Sequence, residues 1–319
     1  MLKKAILLAG LCGLLSAQAM AAYPAKSVSI VVPFPPGQTG DIIARVVSEQ
    51  LSKRLNETFI VINKAGAGGT IGTNFAAHAK GDGYTLLLTS TGPFSIAPAL
   101  YSQLPYSPLK DFEPVVEVAT APQVLLTGSK SSFNSLDSFL KEAKSADMTF
   151  ASSGNGSTQH LTMEIFKKAA GIKLLHVPFK GSAEADTQVI GGLIPIMFDT
   201  LSAVLPHIEA GKLKALAVAD SERSPYLPQV KSLAELGYPS VRGVAFFALM
   251  APKGTPKEIV DLLNSTVNDF MKTPEMKEQF KRLALTPAKV RSSGEFTAYL
   301  QSEATKWAQA VKDAGAQIN

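Results

Sequence analysis

The chain almost lacks cysteine. Its single one, Cys12, lies in the leading segment, so the mature protein has no disulfide, no thiol nucleophile and no cysteine metal site. Histidine is scarce too. His78, His160, His176 and His207 show no metal-ligand spacing, which argues against zinc. Charge is low: 18% of residues are charged and the net charge is +5. That is too mild for a nucleic-acid or membrane-surface protein. No Gly-x-Ser-x-Gly elbow occurs, no carboxylates pair in a recognisable motif, and no Ser/His pair has a clear third member. There is no short-period repeat and no low-complexity stretch. Past the leading segment, no apolar run approaches the roughly 20 residues that span a bilayer.

The leading segment has a defined design. Met1-Leu2-Lys3-Lys4 is followed by an apolar run from Ala5 to Leu15 and then by Ala19-Met20-Ala21. This pattern predicts a signal peptide, residues 1–21, cut after Ala21. Leu11 precedes Cys12 where a lipoprotein signal would need a small residue. Removing residues 1–21 takes away Lys3 and Lys4 and leaves 29 basic against 26 acidic residues, a net charge of +3. An exported, soluble chain without disulfides fits a bacterial envelope compartment, the periplasm.

Three strand–loop–helix units stand out in what remains. The first is Ser29–Phe34, then Pro35-Pro36-Gly37-Gln38-Thr39-Gly40, then a helix from Asp41. The second is Met148–Ala151, then Ser152-Ser153-Gly154-Asn155-Gly156-Ser157, then a helix from Thr158. The third is Leu174–Phe179, then Lys180-Gly181-Ser182, then a helix from Ala183. Each loop aims free backbone N–H groups and a positive helix end at the carboxyl edge of a sheet, where α/β proteins hold small anions. The pattern reads as a binder before it reads as a catalyst.

Alternating strands and helices predict an α/β fold of two units. The first takes residues 22–120 and 243–319 and is discontinuous; the second takes 121–242. Asp111–Val118 and Val124–Leu126 read as extended runs. The tail after 257 reads as amphipathic helices that return to the first unit, with Trp307 on a core-facing stripe.

The candidate ligand residues follow from the loops. Phe34, Gly37, Gln38, Thr39, Gly40 and Asp41 form the first set, with Thr39 or Asp41 as helix cap and Asp41 spaced to pair with Arg45. Ser90 and Thr91, just past the third strand, join them. Ser153, Gly154, Ser157 and Thr158 form the second set, with Ser157 as cap. Lys180, Gly181, Ser182 and Ala183 form the third, with Ser182 as cap. Lys180 either offers charge to a carboxylate or is simply solvated. Asp199 either caps the next helix or reaches the cleft. His160 either faces the cleft or packs. Gly66-Ala67-Gly68-Gly69-Thr70-Ile71-Gly72 misplaces the third glycine of a dinucleotide fingerprint and reads as a tight turn.

Taken in order, several motifs resemble the tripartite tricarboxylate transporter solute-binding family, also called Bug proteins. They are Pro33-Phe34-Pro35-Pro36-Gly37 with Asp41 and Ala44-Arg45, Asn63 to Gly69, and Asp82-Gly83-Tyr84-Thr85-Leu86. Ser152 to Ser157, His176 to Ser182, Gly211 to Ala217, and Ala251 to Pro256 follow. The resemblance implies a two-lobed periplasmic-binding-protein-like fold of type II, the Venus-flytrap kind. Each lobe would be a mainly parallel sheet flanked by helices. It implies a monomer without cofactor that binds a mono-, di- or tricarboxylate, or a derivative, between its lobes. It further implies delivery to integral membrane transporter subunits. Rival readings are an exported hydrolase-like enzyme and a sensor that signals to a membrane receptor. Gln38 and Gly40 depart from the family pattern, in which a glycine and a threonine stand there. Gln38 either points into the cleft, where it could bond a second polar group on the ligand, or faces solvent at the rim.

Overall fold

The computed structural model describes residues 23–316. The expected signal peptide and its cleavage point lie outside the described residues. In chain order the first elements are β1 (Val28–Val32), α1 (Thr39–Leu55), β2 (Phe59–Asn63), α2 (Thr70–Ala77), β3 (Thr85–Ser90) and β4 (Phe112–Gly128). Next come α3 (Leu136–Ala143), β5 (Met148–Ser152), α4 (Thr158–Ala170), β6 (Leu174–Pro178), α5 (Ser182–Ile190), β7 (Ile196–Thr200), α6 (Leu201–Glu209) and β8 (Leu213–Val218). The chain ends with β9 (Val244–Pro252), α7 (Lys257–Met271), α8 (Pro274–Arg282), β10 (Thr286–Pro287) and α9 (Ser293–Ala314).

β1 is apolar at almost every position because it is covered on both faces and lies between β2 and β3, parallel to each. β5 repeats the arrangement between β6 and β7. Each set of three parallel strands is extended by antiparallel ones. β9 pairs with β3 and β4, while β7 and β8 pair with the far end of β4. The sheets are therefore mixed, and parallel where helices make the crossovers.

β4 is the link. The two extended runs read from the sequence are one 17-residue strand. From Phe112 to Pro122 it pairs with β9; from Gln123 to Gly128 it pairs with β7 and β8. Pro122 removes a ladder donor and lies in the gap between the two runs. Pro114 lies inside the first run, and a register shift follows it.

Separate cores lie on either side. Ile30, Leu86, Val118 and Leu249 pack with Leu263, Val267 and Phe270 of α7 in the first lobe. Phe139, Phe150, Phe166 and Phe198 pack in the second. Asn264 of α7 donates to the Val115 carbonyl of β4 at 2.7 Å. α9 buries Phe296 and Leu300 against first-lobe residues Phe94 and Phe246. Trp307, further along, packs against Ile96 and Leu100 but also against Leu161 of α4, so the tail touches both lobes. Among the described residues no helix is long and apolar enough to cross a membrane.

Candidate functional site

The start of α1, α4 and α5 meet between the lobes. α1 and α4, with β3, β4, β7 and β9, close on a cavity of about 10 Å³ lined by Phe34, Gln38, Thr39, Ser90, Gln123, Thr158, Gln159, Thr200, Ala245 and Phe247. That is about the room one water needs. No charged side chain lines it.

The first loop reaches across the cleft. α1 has Gln38 at its N-cap without a side-chain cap bond, so neither Thr39 nor Asp41 caps as expected. Asp41 instead turns back. Its carboxylate accepts from Gly37 N at 3.0 Å, Arg45 Nε at 2.9 Å and Asn63 Nδ2 at 2.9 Å. Burial alone would raise its pKa, but these bonds outweigh burial and hold the carboxyl below its usual range. Asp41 therefore shapes the loop and does not line the cavity. Thr39 meets the second lobe: its hydroxyl lies 3.1 Å from Thr200 Oγ1 and 2.8 Å from Ser202 Oγ. The Gln38 side chain is buried and faces inward; its Oε1 accepts the Ser182 N–H at 3.4 Å. Gly40 packs against Phe34 and Phe247. Thr91 sits behind the cavity, where its hydroxyl accepts from Phe246 N at 2.9 Å.

In the second loop Ser157 caps α4 as expected, accepting from His160 N at 3.2 Å. Thr158 lines the cavity. Ser153 is buried and its hydroxyl has no partner among the described residues. Behind the loop, the rings of His160 and His176 stack at 4.1 Å, and His176 stacks on Phe150 at 4.7 Å. Gly156 N donates to His160 Nδ1 at 3.3 Å, and His176 Nε2 lies 2.6 Å from Ser152 Oγ. Burial, with the neighbouring His176 and Lys167, depresses His160 to about 3. Burial and Lys167 depress His176 to about 4. Both rings are neutral braces of the loop, so His160 packs.

In the third loop the cap of α5 is Gly181, and Ser182 is its first helical residue, contrary to the expected Ser182 cap. The Ser182 N–H is met from the other lobe by Gln38. Lys180 and Ala183 are exposed and do not line this cavity; the Lys180 backbone N–H bonds Glu184 at 3.1 Å. Lys180 is thus not a counter-charge in this cavity. Its place at the loop's outer turn carries the side chain to solvent.

Asp199 does not reach the cleft. It is wholly buried, and its Oδ1 accepts from Thr200 N at 2.6 Å, Gln159 Nε2 at 2.8 Å and Thr200 Oγ1 at 3.1 Å. Thr39 bonds that same Thr200 hydroxyl, so Asp199 orients the cavity wall from one layer behind. Its neighbour is Asp186. Burial and the Asp199 charge hold the Asp186 carboxyl well above the usual range. Burial raises Asp199 as well, partly offset by bonds from Ser182, Gln159 and Thr200. Asp186 Oδ1 and Asp199 Oδ2 have no partner among the described residues.

Sequence reading missed Gln123, Gln159, Thr200 and Ser202. Gln123 had a visible signal: it is a lone amide in an apolar run, just after Pro122. It is 0% exposed, and neither its Nε2 nor its Oε1 has a partner among the described residues. The glycine-rich turn also finds its use here. A Cβ on Gly68, whose φ is +62°, would stand 1.9 Å from the Asn155 carbonyl oxygen of the other lobe. Gly68 is there for close approach between lobes.

Comparison with known proteins places this arrangement. A family model described as tripartite tricarboxylate transporter family receptor matches residues 43–316. Protein BugT of Bordetella pertussis is 38% identical over 299 residues, covering 93% of this chain and 91% of that protein. The solved structure of Rpa4515 from R. palustris with adipate has a TM-score of 0.89 and 31% identity, covering 93% of this chain and all (100%) of that one. MatC from Rhodopseudomonas palustris with bound malate has a TM-score of 0.86 and 30% identity, covering 91% of this chain and 100% of that one.

Proposed function

The chain belongs to the tripartite tricarboxylate transporter receptor family, and from that premise we propose that it captures one small organic acid between its lobes and hands it to an integral membrane transporter. The family is periplasmic, and its members are solute-binding proteins rather than enzymes. Export through the signal peptide and action as a monomer belong to the same reading.

The observation that carries it is the convergence of α1 and α4 on one uncharged cavity, with the start of α5 beside it. Each helix end adds about 0.3–1 kcal/mol of favourable field for an anion, more where partly buried. Hydroxyls of Thr39, Ser90 and Thr158, with backbone N–H groups of the loops, then supply charge-assisted bonds. A carboxylate needs no arginine under these conditions. The similar proteins that hold adipate and malate support an acid as ligand.

A cavity of about 10 Å³ admits no such acid until the lobes part. β4 and β9 run side by side where the first lobe meets the second, pairing Ala121 with Ala245 and Pro122 with Val244. We place the lobe division near residues 120 and 243, with these strands as the hinge. The test is a thermal-shift screen of the mature protein against small mono-, di- and tricarboxylates, sugars and amino acids. Stabilisation by carboxylates alone is expected. Stabilisation by sugars with none by acids would overturn the reading.

A further inference from the structure

The start of α5 is already occupied from within the protein. Gln38 is 7% exposed, and its Oε1 takes the Ser182 N–H at 3.4 Å. That oxygen lies 3.1 Å from where a Cβ on Gly181 would stand, so Gly181 leaves the space it uses. A helix N-terminus ordinarily draws an anion; here a neutral carbonyl takes the place.

Gln123 is an independent observation from another element. It is 0% exposed and lines the same cavity, and both its amide nitrogen and its amide oxygen lack partners among the described residues. A buried amide with both functions unmade matches a ligand group that donates and accepts at once. No Lys, Arg or His lines the cavity to neutralise a second negative charge. One layer behind, the Asp199 carboxylate backs the wall at Gln159, accepting from its Nε2 at 2.8 Å.

We propose that this chain selects a small acid bearing one carboxylate and one carboxamide: Gln38 excludes a second carboxylate from the start of α5, and Gln123 pairs with the carboxamide. The assignment rests on the reading of the cleft as a carboxylate site. A primary carboxamide meets both functions of Gln123 in two parallel bonds, N–H to Oε1 and carbonyl to Nε2–H. A second carboxylate would meet only the Nε2–H and would set its charge against the Gln123 Oε1.

The experiment is calorimetric titration of wild type, Gln38→Gly and Gln38→Glu with matched sets of acids. One set is succinate, succinamate and butyrate; the other is adipate, adipamate and hexanoate. In wild type, the monoamide of at least one set should bind at least tenfold more tightly than its diacid and its plain monoacid. Gln38→Gly should lose most of the discrimination against the diacid. Gln38→Glu, which keeps the side-chain volume, should retain the monoamide and reject the diacid further. A diacid that binds wild type as tightly as the monoamide overturns the assignment, and so does unchanged discrimination in Gln38→Gly. If none of the six acids binds any of the three proteins, the carboxylate reading falls and takes the assignment with it.

Discussion

The hydroxyl oxygens of Thr39 and Ser202 lie 2.8 Å apart across the cleft, one from each lobe. Thr39 Oγ1 also bonds Thr200 Oγ1, which bonds the buried Asp199. The lobes are thus joined through a chain of hydroxyls anchored on one carboxylate. Thr39→Val should cost the closed form about 1 kcal/mol and weaken ligand binding several-fold. Ser202→Ala in the same background should add little, since both changes remove one contact. Fully additive losses in a double-mutant cycle on ligand affinity would show that the two hydroxyls do not act together.

Gly68 makes the approach of the lobes possible. Gly68→Ala places a methyl group on the Asn155 carbonyl at a positive φ. The clash arises only when the lobes meet, so each lobe should still fold. The variant should show a larger radius of gyration by solution scattering in the presence of ligand, and at least tenfold weaker binding. A closed, tight-binding Gly68→Ala protein would show that the turn does not limit closure.

Gln123 should trade stability for binding. Gln123→Leu removes two unmade buried hydrogen-bonding groups and is expected to raise the stability of the free protein by about 1–3 kcal/mol. The same change should weaken the ligand. Urea unfolding and calorimetry on the two proteins check this. Lower stability with unchanged affinity would make Gln123 an ordinary packing residue.

These residues show how far the sequence carries. The strand–loop–helix units were legible because apolar runs, glycine loops and helical spacing are local signals, and Phe34, Gln38, Thr39, Ser90 and Thr158 of the cavity lie on or beside them. The Ser157 cap and the Asp41–Arg45 pair were legible for the same reason. Gln159, Thr200 and Ser202 were not, because their role comes from contacts with residues far away in the chain. Asp199 stood out as a polar residue ending a strand, but only burial shows that it acts from behind the wall. The unity of β4 was hidden between residues 118 and 124, where Pro122 interrupts the apolar pattern. Lys180 looked electrostatically useful, yet its position on the outer turn sends it to solvent.

Buried groups pull stability in opposite directions as pH changes. His160 and His176 are depressed to about 3 and about 4. Between there and about 6.5, the unfolded chain binds more protons than the folded one, so this stability is lost as pH falls. Asp186 is raised, so the folded protein keeps a proton that the unfolded chain releases. That stability is full below the ordinary carboxylate pKa of about 4 and is lost as pH rises toward the raised value. Burial raises Asp199 and Glu117 in the same direction as Asp186, so on the acid side the carboxyls oppose the histidines and only substitution separates the two contributions. Urea midpoints from pH 4 to 9 measure both limbs. His160→Gln should flatten the acid limb and Asp186→Asn the alkaline limb. The same pH dependence in wild type and His160→Gln between pH 4 and 6.5 would contradict the neutral, buried histidine stack.

A crystal structure of the mature protein with the acid that stabilises it most tests the central claim directly. The acid should lie between the lobes, with its carboxylate at the starts of α1 and α4 and its other end near Gln38 and Gln123. The second lobe offers a larger hollow of about 260 Å³, beside Lys130, Ser131 and Gly191. An acid found in that hollow, with the interlobe cavity unchanged, would contradict the account.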